Sequence, residues 1–330
     1  MAKMDVGNGL RPAWRNMVRV LFRPFSLTKW LSLGFISLIA YCGQGGFHAN
    51  LPGNWSDGGH TDWPSNPIPW IMEYWPLLLL GFLILMAISL LISWVASVLH
   101  FVYVDDIVRS SAAIKEPWAR LRSRGTSYFL WRLVFGFLYL IVFLIVVGTP
   151  VIWAFTIAHG AHNALKVLAI VWAVLTAIPL FVIGVLIDLF VRDFVTTAMY
   201  AKGVGIMEGW RIAWPLIKEN AGQVALYVLI LIALSFAIGM FGLIVFFGLL
   251  MVVGIPIGVL VAVAIFAGKE MGLEWSAPVI AIAVSLGVLF LMGFTYLVNT
   301  ATQPADVFRR SYALAVMGQA DPSLETLPQS

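Results

Sequence analysis

Long apolar runs alternate along this chain with short polar segments, and the charges fall in those segments or at the ends of the runs. The runs cover residues 27–45, 76–102, 128–154, 165–190, 220–268 and 277–298. About 20 apolar residues in a helix cross a hydrocarbon core of about 30 Å, so each run is long enough to span a bilayer. The fifth is too long for one simple span. Its 49 residues carry no charge, and as a helix they would reach about 74 Å at 1.5 Å per residue. It either crosses twice, or crosses once with a re-entrant or kinked segment at the break formed by Gly254, Pro256 and Gly258. Gly148-Thr149-Pro150 predicts a similar kink in the third run, and Pro179 lies in the fourth. The segment 42–70 is rich in Gly, Pro, Asn and Trp, lacks periodicity and reads as an external loop, with Trp63, Trp70 and Trp75 at an aromatic belt.

The polar segments have their own pattern. Arg11, Arg15, Arg19 and Arg23 repeat every four residues and form one row on a helix. Trp14, Met17, Val18, Leu21 and Phe22 face the other way, as in a helix lying in the membrane interface. Three such Trp-led stretches, at Trp14, Trp118 and Trp210, each precede an apolar block. Three similar tails, beginning at Asp106, Asp193 and Asp306, each close one. The expected fold is therefore an all-α integral membrane protein of about six transmembrane helices, with three cytoplasmic interfacial amphipathic helices. Seven spans are the alternative. Residues 1–320 read as one polytopic domain built from three repeats, 11–110, 113–200 and 204–315, and 321–330 as a flexible tail.

Composition agrees with this class: 61% of residues are hydrophobic and 11% charged, against about half and a quarter in soluble domains. The charges also orient the chain. Six crossings leave only Lys166 and Lys269 of the 20 basic residues outside, so both termini are expected in the cytoplasm of a prokaryotic cell, under its inner membrane. Seven crossings fit the charges almost as well, and the repeat favours six. The basic region before residue 30 resembles a signal sequence, but bulky Tyr41 disfavours cleavage and the first run is expected to stay. With one cysteine, Cys42, an internal disulfide is excluded. Scattered membrane-proximal basic residues give no nucleic-acid reading.

Candidate sites follow from the same placement. Arg11, Arg15, Arg19, Arg23, Arg120, Arg124 and Arg211 are expected to contact lipid head groups, or else to act only as positive-inside anchors. Asp106, Arg132, Asp188, Arg192, Asp193, Asp306 and Arg309 are expected to form a polar cluster at the inner boundary, with Asp188 and Arg192 spaced to pair on one helix face. Such a cluster either binds an anionic group or closes the bundle by charge pairing. No ionisable residue falls near the centre of a run, where proton relays are built, and His100 reads as packed. His48, His60, His159 and His162 lie in external loops without metal-site spacing, so no metal and no cofactor are expected. Neither a zinc-protease signature, a nucleophile elbow nor a phosphate loop occurs. Catalysis is not expected.

The Trp-led helices, the stretch Asp193-Phe194-Val195-Thr196-Thr197-Ala198-Met199-Tyr200 with Gly209-Trp210, and the tail Val307-Phe308-Arg309-Arg310-Ser311-Tyr312-Ala313-Leu314 with Met317-Gly318-Gln319 carry a resemblance. They resemble an uncharacterised group of prokaryotic polytopic membrane proteins, distantly similar to the membrane domain of some glycerophosphodiester phosphodiesterases and to YciC-type inner-membrane proteins. The likeness covers about two thirds of the chain, mainly from Trp118 on. The phosphodiesterase catalytic domain has no counterpart here, and the resemblance implies no catalytic residue. The expected role is a non-enzymatic membrane scaffold or accessory subunit. Its partners would be membrane lipids, a membrane protein or further copies of itself. The alternative is a carrier or flippase for a lipid-like or small amphipathic molecule.

Overall fold

The structure is a computed structural model that describes residues 4–42, 67–156, 163–270 and 277–328. Among these residues every regular element is helical. Five helices are long and apolar enough to cross a membrane: Met72–Arg109, Lys115–Trp153, Lys166–Lys202, Ala221–Gly268 and Ile282–Ala301. A shorter apolar helix, Leu27–Ala40, precedes them. Residues 43–66, expected as an external loop, residues 157–162 with His159 and His162, and residues 271–276 lie outside the described residues, as do His48, His60 and Trp63.

We number the helices α1 (Leu10–Phe22), α2 (Leu27–Cys42), α3 (Pro67–Arg109), α4 (Lys115–Phe143), α5 (Thr149–Thr156), α6 (Asn163–Phe190), α7 (Thr196–Lys202), α8 (Ile206–Glu219), α9 (Ala221–Leu249), α10 (Ile255–Glu270), α11 (Ala277–Ala301) and α12 (Gln303–Ala320). Three junctions do not break the helix. A single π-helical turn joins α4 to α5 (Leu144–Gly148), α6 to α7 (Val191–Val195) and α9 to α10 (Leu250–Gly254). The long fifth run therefore neither reverses nor re-enters. Gly254 closes a π turn, and Pro256 and Gly258 lie in the first turn of α10.

Proline explains two of these turns. Pro150 and Pro256 each follow the sequence Val-Val-Gly-X, and a proline cannot donate to the carbonyl four residues back. An extra residue in the turn accommodates the ring without ending the helix. For Pro150 the carbonyl left over is that of Val146, and the Trp172 indole of α6 donates to it at 3.2 Å. That bond matters at membrane depth, where water is not there to replace it.

The tightly packed part of the molecule lies at one end of the long helices. Residues 96–107 of α3 are buried almost without interruption, as are most of Val191–Met199, whereas residues 72–92 of α3 are nearly all exposed. Apolar side chains are exposed along 129–153, 167–185 and 232–268 in the same way. These arms present the surface expected toward lipid. The short helices pack around the buried end in a consistent way. α1 lies on α12, where Trp14 meets Phe308 edge-on at 6.2 Å. The start of α4 lies on the end of α3, and α8 lies on the Val191–Lys202 segment.

Three expectations need correction. The Trp118 stretch is not a separate interfacial helix but the first turns of α4: Pro117 lies in the first turn, where its missing N–H breaks no helical bond, and Gly125 does not interrupt the helix. On α1, Met17 and Leu21 face protein, not lipid; they are buried with Ala13, Asn16 and Val20. Residues after 320 are not a loose tail through Leu327. Asp321 accepts from the Ser323 amide at 2.9 Å, which opens a 3-10 turn at Pro322–Leu324 and holds its carboxyl below the usual range. Leu324 is fully buried in one apolar cluster, and Leu327 packs, half-buried, against the other.

Close approach of α3 and α4 depends on Gly125, where an added Cβ would sit 2.6 Å from the Val98 Cα. Gly125→Leu is expected to cost about 1–3 kcal/mol by overpacking and to lower the thermal midpoint of the detergent-purified protein. Gly242→Ala, with nothing within 4 Å of its Cβ position, should leave that midpoint unchanged or raise it. Equal effects would contradict the packing described.

Candidate functional site

The helix ends meet in two buried ionic nodes. Asp193, in the π turn Val191–Val195, is 1% exposed and centres the first. Its Oδ1 lies 3.4 Å from Arg310 Nη1 on α12 and 3.5 Å from Arg192 Nε, and its Oδ2 accepts from the Tyr227 hydroxyl of α9 at 3.2 Å. Arg310 also donates to the Arg192 carbonyl at 2.9 Å and, through Nη2, to His100 Nδ1 of α3 at 3.0 Å. Aromatic rings enclose this node. Tyr128 of α4 and Phe101 flank His100, and Tyr227 stacks on Tyr312 at 5.2 Å. One carboxylate thus ties α3, the α6–α7 junction, α9 and α12 together.

Asp105, also 1% exposed, centres the second node. It takes Arg120 Nη2 of α4 at 2.6 Å, Arg109 Nε at 3.2 Å and the Tyr200 hydroxyl of α7 at 2.7 Å. Its neighbour Asp106 does different work. Through Oδ1 it accepts from Ser111 Oγ at 2.6 Å and the Ala113 amide at 3.1 Å, which shapes the α3–α4 turn where Ser110 has a positive φ of 55°.

Smaller polar contacts extend the joint. Asn16 of α1 donates to Ser311 Oγ at 2.8 Å, and Arg19 donates to the Val108 carbonyl at 3.0 Å. Asn299 of α11 donates to Ser37 Oγ and the Gly34 carbonyl of α2, both at 2.7 Å, and Gln303 donates to the same Ser37. The N-terminal segment is held as well: Tyr312 donates to the Val6 carbonyl at 3.2 Å.

The expected inner-boundary cluster is therefore only partly assembled as written. Arg192 and Asp193 belong to the first node, while Asp106 shapes a turn. Arg132 lies over the Tyr128 ring, 5.6 Å from its centre. Asp188 is half-buried in the last turn of α6, and Asp306 and Arg309 are half-buried in α12. Arg192 pairs with Asp193, its neighbour in sequence. Arg310, not Arg309, enters the node, because it shares the buried α12 stripe with Val307, Leu314 and Met317. That helical spacing was available in the sequence. His100 and Tyr227 gave no such signal, since they lie in stretches where nearly every residue is apolar, and no spacing marks Asp105 beside Asp106 or Tyr200 at the end of its tail.

The arginines expected at head groups also divide. Arg11 and Arg15 are exposed on α1, Arg23 is exposed just past its C-terminal end, and Arg19 is half-buried. Arg120 is committed to Asp105, and Arg124 lies against Gly203. Arg211 is 80% exposed and pairs with Glu208 at 3.3 Å. No group of three or more potential metal-ligating side chains occurs among the described residues.

Long apolar helices that expose their flanks and join through buried ionic nodes at one end define a polytopic α-helical membrane protein. The chain belongs to a family of unknown function (DUF7544), which matches residues 4–327. No curated protein and no solved structure matches it.

Removing one partner of a buried ion pair strands the other charge and costs about 3–5 kcal/mol. Arg310→Ala should therefore sharply reduce the amount of monodisperse protein and its thermal midpoint, whereas Arg211→Ala, in an exposed pair, should shift stability by less than about 1 kcal/mol. Similar behaviour of the two variants in size exclusion and thermal unfolding would contradict the assignment.

Proposed function

We propose that this protein is a six-span inner-membrane scaffold or accessory subunit that organises lipids or a partner complex from the cytoplasmic face, and is not an enzyme. One contact supports the crossing number. α1 and α12 pack on each other, as an even number of crossings with both ends of the span array on one side would require. Beside the five long apolar helices we take the shorter apolar α2 as the sixth span. Lys166 and Lys269 are the two basic residues left on the far side, which favours cytoplasmic termini.

The packing order also supports a threefold repeat. Each Trp-led helix lies on the tail of the preceding unit: α1 on α12, the start of α4 on the end of α3, and α8 on α7. In the three tails the residue after the matched aspartate, Ile107, Phe194 or Val307, is at most 1% exposed. A distant relationship to the glycerophosphodiester phosphodiesterase membrane domain and YciC-type proteins belongs to the same proposal.

The observation that carries the scaffold reading is where the polar groups go. Asp193, Arg310, Asp105 and Arg120 hold helices together, and two cavities lie against α1. A carrier is the second reading. It is favoured by the matching Val-Val-Gly-X-Pro turns, Val146–Pro150 and Val252–Pro256, which place irregular backbone within two spans.

Extraction of the tagged protein with its surrounding native lipid, followed by mass spectrometry, separates the two. The scaffold reading expects a protein partner at near-stoichiometric amount. A single enriched small molecule with no partner would overturn it in favour of the carrier. In that case Pro256→Ala should abolish movement of the molecule in vesicles.

A further inference from the structure

We propose that the groove between α1, α12 and the C-terminal segment is a binding site for the phosphate-bearing head group of a membrane phospholipid. The inference rests on the preceding reading only in placing α1 at the cytoplasmic membrane surface. The cavity has a volume of about 840 Å³. Its cationic wall is α1, where Arg15, Arg19 and Arg23 follow one another at every fourth residue and all line the groove. Leu314 and Ala315 of α12 form apolar wall, and Leu327 of the C-terminal segment adds more. Glu325 is the acidic residue among the lining groups. Three guanidiniums facing an apolar wall match a ligand with an anionic head and an aliphatic body, which a phospholipid is and inorganic phosphate is not.

Two further observations point to an anion. Arg19 is fixed by the Val108 carbonyl through Nη2, yet its buried Nε has no hydrogen-bond partner among the described residues. Burial also lowers the pKa of this guanidinium from its usual range, so a nearby negative charge would stabilise it. Beside it Asn16, 6% exposed, lines the same groove and is anchored to Ser311. The groove floor is thus preformed. Position selects the ligand's source. α2 begins at Leu27, four residues beyond Arg23, so the Arg23 end of the groove opens where the first span enters the bilayer. A shallower groove of about 490 Å³ shares Trp14 and Arg15 and is walled by Leu10 and Phe308, which gives an apolar surface on the other side of the Trp14 ridge.

The test uses the full-length protein in maltoside micelles, titrated with dioctanoyl phosphatidylglycerol and read by native mass spectrometry. Saturable binding of the lipid is expected, and dioctanoylglycerol, which lacks the phosphate, should not bind. The double variant Arg15→Gln/Arg23→Gln should weaken binding at least about tenfold, from about 1 kcal/mol per basic residue at a membrane surface. Both side chains are exposed, so the variant should keep the wild-type thermal midpoint. Arg211→Gln, outside the groove, should bind as wild type does. Wild-type binding by the double variant, an equal loss in Arg211→Gln, or equal binding of dioctanoylglycerol would each overturn the site. Displacement of the lipid by an equal concentration of inorganic phosphate would overturn its assignment to a lipid. The purified protein is titrated alone, so failure to capture a partner from native membrane leaves this result untouched.

Discussion

The fold depends on one ion pair, Asp193 with Arg310, held out of water where four separate parts of the chain converge. Burying two charges costs several kcal/mol each, and that cost is recovered only when further hydrogen bonds saturate both groups. Here Tyr227, His100 and the Arg192 carbonyl supply those bonds, and aromatic rings exclude solvent. Such an arrangement adds little stability over a well-packed apolar core. Its consequence is specificity, since these bonds form only when α3, α9, α12 and the α6–α7 junction are brought into register with one another. The π turn at Val191–Val195 belongs to the same constraint, because the helix carries its extra residue at the point where Asp193 must face Arg310.

This explains the division of the molecule along its length. The apolar arms need no partner within the chain, because lipid solvates them as well as another helix would. The ends have polar backbone and charged side chains to satisfy, so order concentrates there. Asn16, Ser37, Asn299 and Gln303 stitch the first and last spans into the same joint. The termini are fastened to it as well, Val6 by Tyr312 and the C-terminal segment by Leu324. The arginine-lined groove lies beside this joint, between α1, α12 and the C-terminal segment.

Much of this was legible from the chain. Hydrophobic run length gives the helical membrane class and the extent of the spans, since hydropathy depends on local composition alone. The Asp-led tails and Trp-led stretches give the elements that meet. Register within doublets was harder. Arg309 and Arg310, or Asp105 and Asp106, differ by one residue, and only the buried face of the finished helix separates them. For α12 the spacing of Val307, Leu314 and Met317 identifies that face, while the continuous burial of residues 96–107 leaves none to read. Run length alone does not separate two crossings from one kinked helix in the 49-residue run. One helix carries it through a π turn, and its first turns join the core through Val224, Tyr227 and Leu231.

The most direct test of the account is a double-mutant cycle on Asp193→Asn and Arg310→Gln, read by unfolding in mixed micelles. Direct coupling in a buried node predicts that the double variant loses less than the sum of the two single losses, by at least about 1 kcal/mol. Additive losses would contradict it, and would mean that the joint is held by apolar packing with the two charges placed independently.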